Sequence, residues 1–179
     1  MHLERTVCLG VLATLMSTAS AQWREWDTEF EDNKKTWKEI QAQIPAYPKA
    51  ENLARVPTGT ATPHQFFIDT TSVSIGEDGV VRYTVVVKTG GGATNVMFEG
   101  MRCETRQLKL YAVGHSDGGW ARARDTNWRR VQLRDLTPHH HTLYYDYFCA
   151  FGYIPVPRHQ VVDALKRGYG LKPRPAAEG

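Results

Sequence analysis

The chain has 179 residues, 41% of them hydrophobic and 23% charged, with a formal net charge of +3. That is enough for one domain with its own core, without metal or a disulfide network. The charge is too small for the broad basic surface of a nucleic-acid binder. No run reaches the roughly 18 apolar residues of a membrane-spanning helix.

The first 21 residues read as a secretory signal peptide. Arg5 supplies the positive start, Thr6–Leu15 an apolar stretch too short to cross a bilayer, and Ala19-Ser20-Ala21 the pattern that signal peptidase reads. Cleavage before Gln22 is expected, and with it residence in the periplasm or peripheral association with the outer membrane. Cys8 leaves with the signal, and Arg5-Thr6-Val7 before it is not a lipoprotein context. Residues 22–35 form an acidic lead-in, with Glu25, Asp27, Glu29, Glu31 and Asp32 against Arg24. The stretch 102–134 is rich in arginine instead. Such polarity suits either pairing of the chain's own ends or an anionic partner.

Trp23, Trp26, Phe30, Trp37, Ile40 and Ile44 follow a 3-4 spacing, but Thr36-Trp37-Lys38-Glu39 has the form of a capping box, which marks a helix start. The pattern predicts a short helix over about Thr36–Gln43, stopped by Pro45. Residues 45–64, with four prolines and Gly59, read as an extended connection.

Strands follow. Gln65–Asp69 and Ser72–Ile75 are short β-rich runs, and Gly76-Glu77-Asp78-Gly79 is a turn. Val80–Lys88 alternates, with Val81, Tyr83, Val85 and Val87 on one face. Gly90-Gly91-Gly92 is a hairpin loop into Thr94–Cys103; no helix bearing Lys or Ser follows it, so it is not a phosphate loop. Gln107–Val113 is expected to turn Leu108, Leu110 and Ala112 inward. Ser116-Asp117-Gly118-Gly119 then leads to Trp120–Arg124, with Trp120 in the core. For Leu143–Cys149 the aromatic density suits a strand, and a helical turn fits equally. His159–Arg167 suits a helix ending at Gly168.

Cys103 and Cys149 are an even pair in an oxidising compartment. One disulfide is the expected outcome, two separate buried thiols the alternative.

Several phrases, in order, resemble the cryptic-neisserial-protein-like family of exported bacterial proteins. They are Thr36-Trp37-Lys38-Glu39 with Pro45-Ala46-Tyr47-Pro48, Phe66-Phe67-Ile68-Asp69, Gly76–Tyr83, Phe98–Cys103 and Tyr145–Cys149. The resemblance implies export and places both cysteines inside matching phrases, which adds weight to their pairing. It implies no particular activity.

His139-His140-His141 is the most evident chemistry, because three imidazoles can hold zinc with an open position. Adjacent histidines on a strand point apart, so a solvated loop with weak metal affinity is the expected state. His140-His141-Thr142-Leu143 matches the tetrad of two-histidine phosphoesterases, but a second copy is missing and one tetrad supplies half of the acid–base pair. There is no Gly-x-Ser-x-Gly elbow. Asp69, Glu77, Asp78, Glu99 and Asp146 could supply a carboxylate pair, though turn chemistry explains Glu77 and Asp78 better than glycoside or phosphate hydrolysis does. Arg122 and Arg124 share one face of the expected strand, with Trp128, Arg129 and Arg130 just beyond, a set able to bind phosphate, carboxylate or glycan anions. The competing role is a solvated outer face that discourages edge-to-edge aggregation.

The sequence therefore predicts an α+β chain with a single domain over 36–170. It has an antiparallel meander of about five to seven strands, two short flanking helices and a flexible tail over 171–179. The expected function is that of an exported envelope protein, a non-enzymatic binding domain for another envelope protein or an anionic envelope component, with no cofactor. The alternatives are a hydrolase or metal-dependent site at His139–His141, and a structural subunit whose apolar patch includes Trp23 and Trp26.

Overall fold

The computed structural model describes residues 36–59, 61–131 and 137–171. The chain divides into two units, Met1–Thr36 and Trp37–Gly179, and the sheet and helices belong to the second. The expected signal peptide and acidic lead-in, Trp23 and Trp26 with them, lie outside the described residues, as does the tail beyond Leu171. Leu171 itself donates its backbone N–H to the Asp146 carbonyl at 2.7 Å and packs against the core.

Among the described residues, seven antiparallel strands make one sheet: β1 (Leu53–Val56), β2 (Gln65–Ile75), β3 (Val80–Lys88), β4 (Thr94–Arg102), β5 (Gln107–Gly114), β6 (Trp120–Arg122) and β7 (Arg129–Arg130). They run in chain order from β1 to β6, and β7 also pairs with β5. A meander suits short strands joined by tight turns, since each strand finds its partner across a few residues. The positive φ of Gly79 and Gly118 serves two of those turns. Helix α1 (Pro138–Thr142) runs into a single wide turn with π-type bonding (Leu143–Phe148), and α2 (Arg158–Arg167) closes at Gly168 in the left-handed conformation. No helix among the described residues is long and apolar enough to cross a membrane.

The two runs read as separate strands, Gln65–Asp69 and Ser72–Ile75, are one strand with a register shift. Asp69 faces Thr84, while Ser74 already faces Arg82. The Ser72 hydroxyl accepts the Thr84 N–H at 2.8 Å, so a side chain replaces the ladder bond lost at the shift. A second shift sits in β5. Phe98 faces Ala112 but Glu99 faces Leu110, which makes Tyr111 the extra residue. The alternation expected to carry Leu108, Leu110 and Ala112 inward together is thereby broken. Leu108 packs on the main core, whereas Ala112 lies opposite Phe98, outside that cluster.

One face of the sheet packs on the helices. Phe66, Ile68, Val73, Val81, Tyr83, Val85 and Met101 meet Leu143, Tyr147, Phe148, Val161 and Leu165. Cys103 and Cys149 are disulfide-bonded within this core, at 0% and 1% exposure. The bridge joins the end of β4 to the end of the π-type turn.

The expected helix over Thr36–Gln43 is absent: residues 36–49 form neither helix nor strand. Trp37–Lys49 instead lies as a strap over the other face of the sheet. The Trp37 indole donates to the Asp78 carbonyl at 2.8 Å, and the Tyr47 hydroxyl to the His115 carbonyl at 2.8 Å. Glu39, the residue that would complete a capping box, accepts from Lys109, Tyr111 and Trp128 at 2.8, 2.9 and 3.1 Å. Three charge-assisted or neutral bonds across the sheet outcompete one local capping bond. The Trp120 ring joins this second layer, 5.5 Å from Tyr47 and 6.4 Å from Phe98.

Candidate functional site

The histidine run is not a solvated loop. Thr137 and Pro138 start α1, and proline at the first helical position needs no N–H partner. Helical geometry then places neighbouring side chains about 100° apart, unlike the opposed directions of a strand. His139 and His140 are 3% and 9% exposed, with ring centroids 4.0 Å apart, and His139 stacks on Phe66 at 4.5 Å. His141 is exposed and lies against Tyr145.

Below them stands Glu99 of β4, 4% exposed. His140 Nε2 donates to Glu99 Oε2 at 2.9 Å, and the hydroxyl of Tyr83, directly across the ladder on β3, donates to the same oxygen at 2.9 Å. The Thr137 hydroxyl lies 2.9 Å from His140 Nδ1 and 3.4 Å from His139 Nε2. His139 Nδ1 is buried without a partner among the described residues. Such an orphan costs about 1–3 kcal/mol.

The electrostatics follow from this packing. Burial works against the Glu99 carboxylate, but His140, His139 and the Tyr83 hydroxyl outweigh it and hold its carboxyl below the usual range. Burial, then the adjacent carboxylate, push the Tyr83 phenol far up. Burial, then neighbouring His140, bring His139 down to about 3, so its ring is neutral at ordinary pH. Glu99 stood out in the sequence only as one carboxylate among several. Its separation of about forty residues from the histidines left no spacing to detect, and only the β4–α1 contact joins them.

The arginines form no single strip. β6 ends at Arg122, so Arg124 is beyond the strand that was expected to carry both. Arg129 faces Leu108 and Arg130 faces Gln107, which sends these neighbours to opposite faces. All four line the β6–β7 margin of the sheet, all are exposed, and none makes an ion pair among the described residues. Trp128 is committed inward, bonded to Glu39 and packed edge-on to Trp37 at 5.9 Å. Beside Arg122, a groove of about 350 Å³ runs between strap and sheet, lined by Glu39, Ile40, Lys109, Tyr111 and Thr126.

The family model described as the CNP1-like family matches residues 32–166. The chain belongs to the CNP1-like family. That range takes in the strap, all seven strands, both cysteines and the Glu99–His139–His140 cluster, so these features belong to the matched part of a CNP1-like chain. No curated protein and no solved structure matched.

Proposed function

We propose that this CNP1-like chain is an exported envelope protein that works as a non-enzymatic binding domain, holding an acidic envelope protein or another anionic envelope component along the β6–β7 margin. The observation that carries the reading is the set Arg122, Arg124, Arg129 and Arg130, exposed and without ion pairs among the described residues. Guanidinium groups without an ion pair among the described residues keep their capacity for carboxylate or phosphate. Export is supported by the leader, with Arg5, Thr6–Leu15 and Ala19-Ser20-Ala21, and by a disulfide of the kind that persists in oxidising compartments.

The test is crosslinking and capture from intact cells with the protein at native abundance. Wild type is expected to retain a stoichiometric partner or anionic component in a salt-sensitive manner. The variant R122S/R124S/R129S/R130S is expected to lose it. Equal capture by a folded, oxidised quadruple variant would sink the proposal.

A second reading, a subunit of a larger envelope assembly, is favoured by one loop. Between the disulfide and α2, Phe151, Tyr153 and Ile154 are 71%, 63% and 77% exposed. Three such side chains within four residues make a patch of the kind that partners cover. Capture lost in F151S/I154S but kept in the quadruple arginine variant would select this reading.

A further inference from the structure

We propose that Glu99, His139 and His140 form a binding site for one divalent transition-metal ion of the zinc type, which ties α1 to β4. One ligand atom from each residue, a carboxylate oxygen and two imidazole nitrogens, lies within 4.8 Å of the other two. Two imidazoles and a carboxylate are donors suited to zinc, and to cobalt as its coloured substitute. A tetrahedral shell with bonds of about 2.0–2.1 Å needs its ligand atoms roughly 3.4 Å apart. The present spacing reaches up to 4.8 Å, so the ion would draw the three side chains closer together.

A buried hydrogen-bonded pair alone would not need all three residues. His140 and Glu99 complete such a pair between them, with Tyr83 satisfying the same carboxylate oxygen. His139 adds a second imidazole at 3% exposure whose Nδ1 finds no partner among the described residues. An imidazole nitrogen buried without a hydrogen-bond partner and held beside a carboxylate is placed to serve as a metal ligand. The surroundings also resemble those of metal ligands. The Thr137 hydroxyl sits 2.9 Å from His140 Nδ1, the nitrogen facing away from Glu99, where outer groups commonly fix the orientation of a ligand ring. Phe66 backs His139. Loading the ion removes the hydrogen from His140 Nε2, and the ligating neutral ring then carries its one N–H on Nδ1, toward the Thr137 hydroxyl. The site is remote in kind from the arginine margin, and either proposal can fail without the other.

The experiment uses tag-free, oxidised protein freed of metal by chelation, then titrated separately with Co2+ and Zn2+. About one equivalent of Co2+ is expected to bind with visible ligand-field bands, to be displaced by Zn2+, and to raise the melting temperature. Glu99→Gln and His139→Asn are expected to weaken binding by about a hundredfold or more, and His141→Asn, on the exposed side of α1, to leave it unchanged. If the buried variants do not fold, Zn2+-dependent shifts of the His139 and His140 ring signals in wild type decide instead. A folded wild type that takes up no ion at about 1 mM, or binding abolished by His141→Asn, would overturn the proposal. Ring signals of His139 and His140 that stay unmoved by Zn2+ would do the same.

Discussion

Asp78 and Arg82 meet in a two-point pairing, Nη1 to Oδ1 at 3.1 Å and Nη2 to Oδ2 at 2.6 Å, and together grip one residue of the strap. The Ile40 N–H donates to Asp78 Oδ2 at 2.9 Å, and the Ile40 carbonyl accepts from Arg82 Nη2 at 2.8 Å. One ion pair thus supplies both a donor and an acceptor to a backbone that has no strand partner of its own. The side chains are 1% and 7% exposed. Removing one partner leaves the other charged and buried. Asp78→Ala is therefore expected to cost about 3–5 kcal/mol, read as a lower urea midpoint of the oxidised protein. Asp78→Ala with Arg82→Met should recover part of that loss; a double variant as unstable as the single one would show the charge to be irrelevant.

The strap should also release on acidification. Burial raises the carboxyls of Glu39 and Asp78, but the bonds from Lys109, Trp128 and Tyr111 to Glu39, and from Arg82, Ile40 and Val80 to Asp78, outweigh it. Both lie below their ordinary values of 4.5 and 3.8. A carboxyl depressed in the folded state contributes stability that is complete above its unfolded pKa and fades as pH falls through the folded one. Stability should decline from about pH 5 downward, with Trp37 and Trp128 fluorescence changing together. Glu39→Gln is expected to flatten the profile; an unchanged profile would place the acid sensitivity elsewhere.

The disulfide closes a loop with a sequence separation of 46. On the chain-entropy account such a cross-link contributes about 4 kcal/mol. The variant C103A/C149A is expected to lose roughly that amount in equilibrium unfolding. Intact mass with and without reductant, differing by two hydrogens, checks the bond itself.

Gly114 lies where strap and sheet touch. A methyl group there would come within 2.8 Å of both the Tyr47 ring and Val96 Cβ. Val96 is its ladder partner and Tyr47 is anchored to His115, so neither yields freely. Gly114→Ala should cost about 1–3 kcal/mol by overpacking, measured as a fall in thermal midpoint. Gly91→Ala, with open space around the glycine, serves as the control.

The quadruple arginine variant is expected to fold within about 0.5 kcal/mol of wild type, as exposed substitutions do. A larger loss would mean that these side chains hold the sheet margin rather than a partner.

Period-two alternation made the sheet legible, because Val81, Tyr83, Val85 and Val87 write one buried face directly into the chain. The strap was not legible. Trp37, Ile40 and Ile44 happen to keep helical spacing, and Thr36 with Glu39 imitates a cap, yet what decides the segment is bonding to residues forty to ninety positions away. The Tyr111 shift escaped for the same reason, as no local signal marks an extra residue in one strand. At the histidines the residue types were read but the backbone was not. A helical start turns two rings to one side, while a strand would have parted them.

The strap gives β3 an unusual position for a strand in an antiparallel meander: eight of its nine residues are buried. Helices cover one side and the thirteen residues of the strap the other, so the usual solvent-facing row disappears. A tolerance map of the chain would therefore lose its alternation along β3, where Arg82 and Thr84 resist replacement as firmly as Tyr83 and Val85. Drift in sequence over time is then left to the outward side of the strap and to loops that meet no partner.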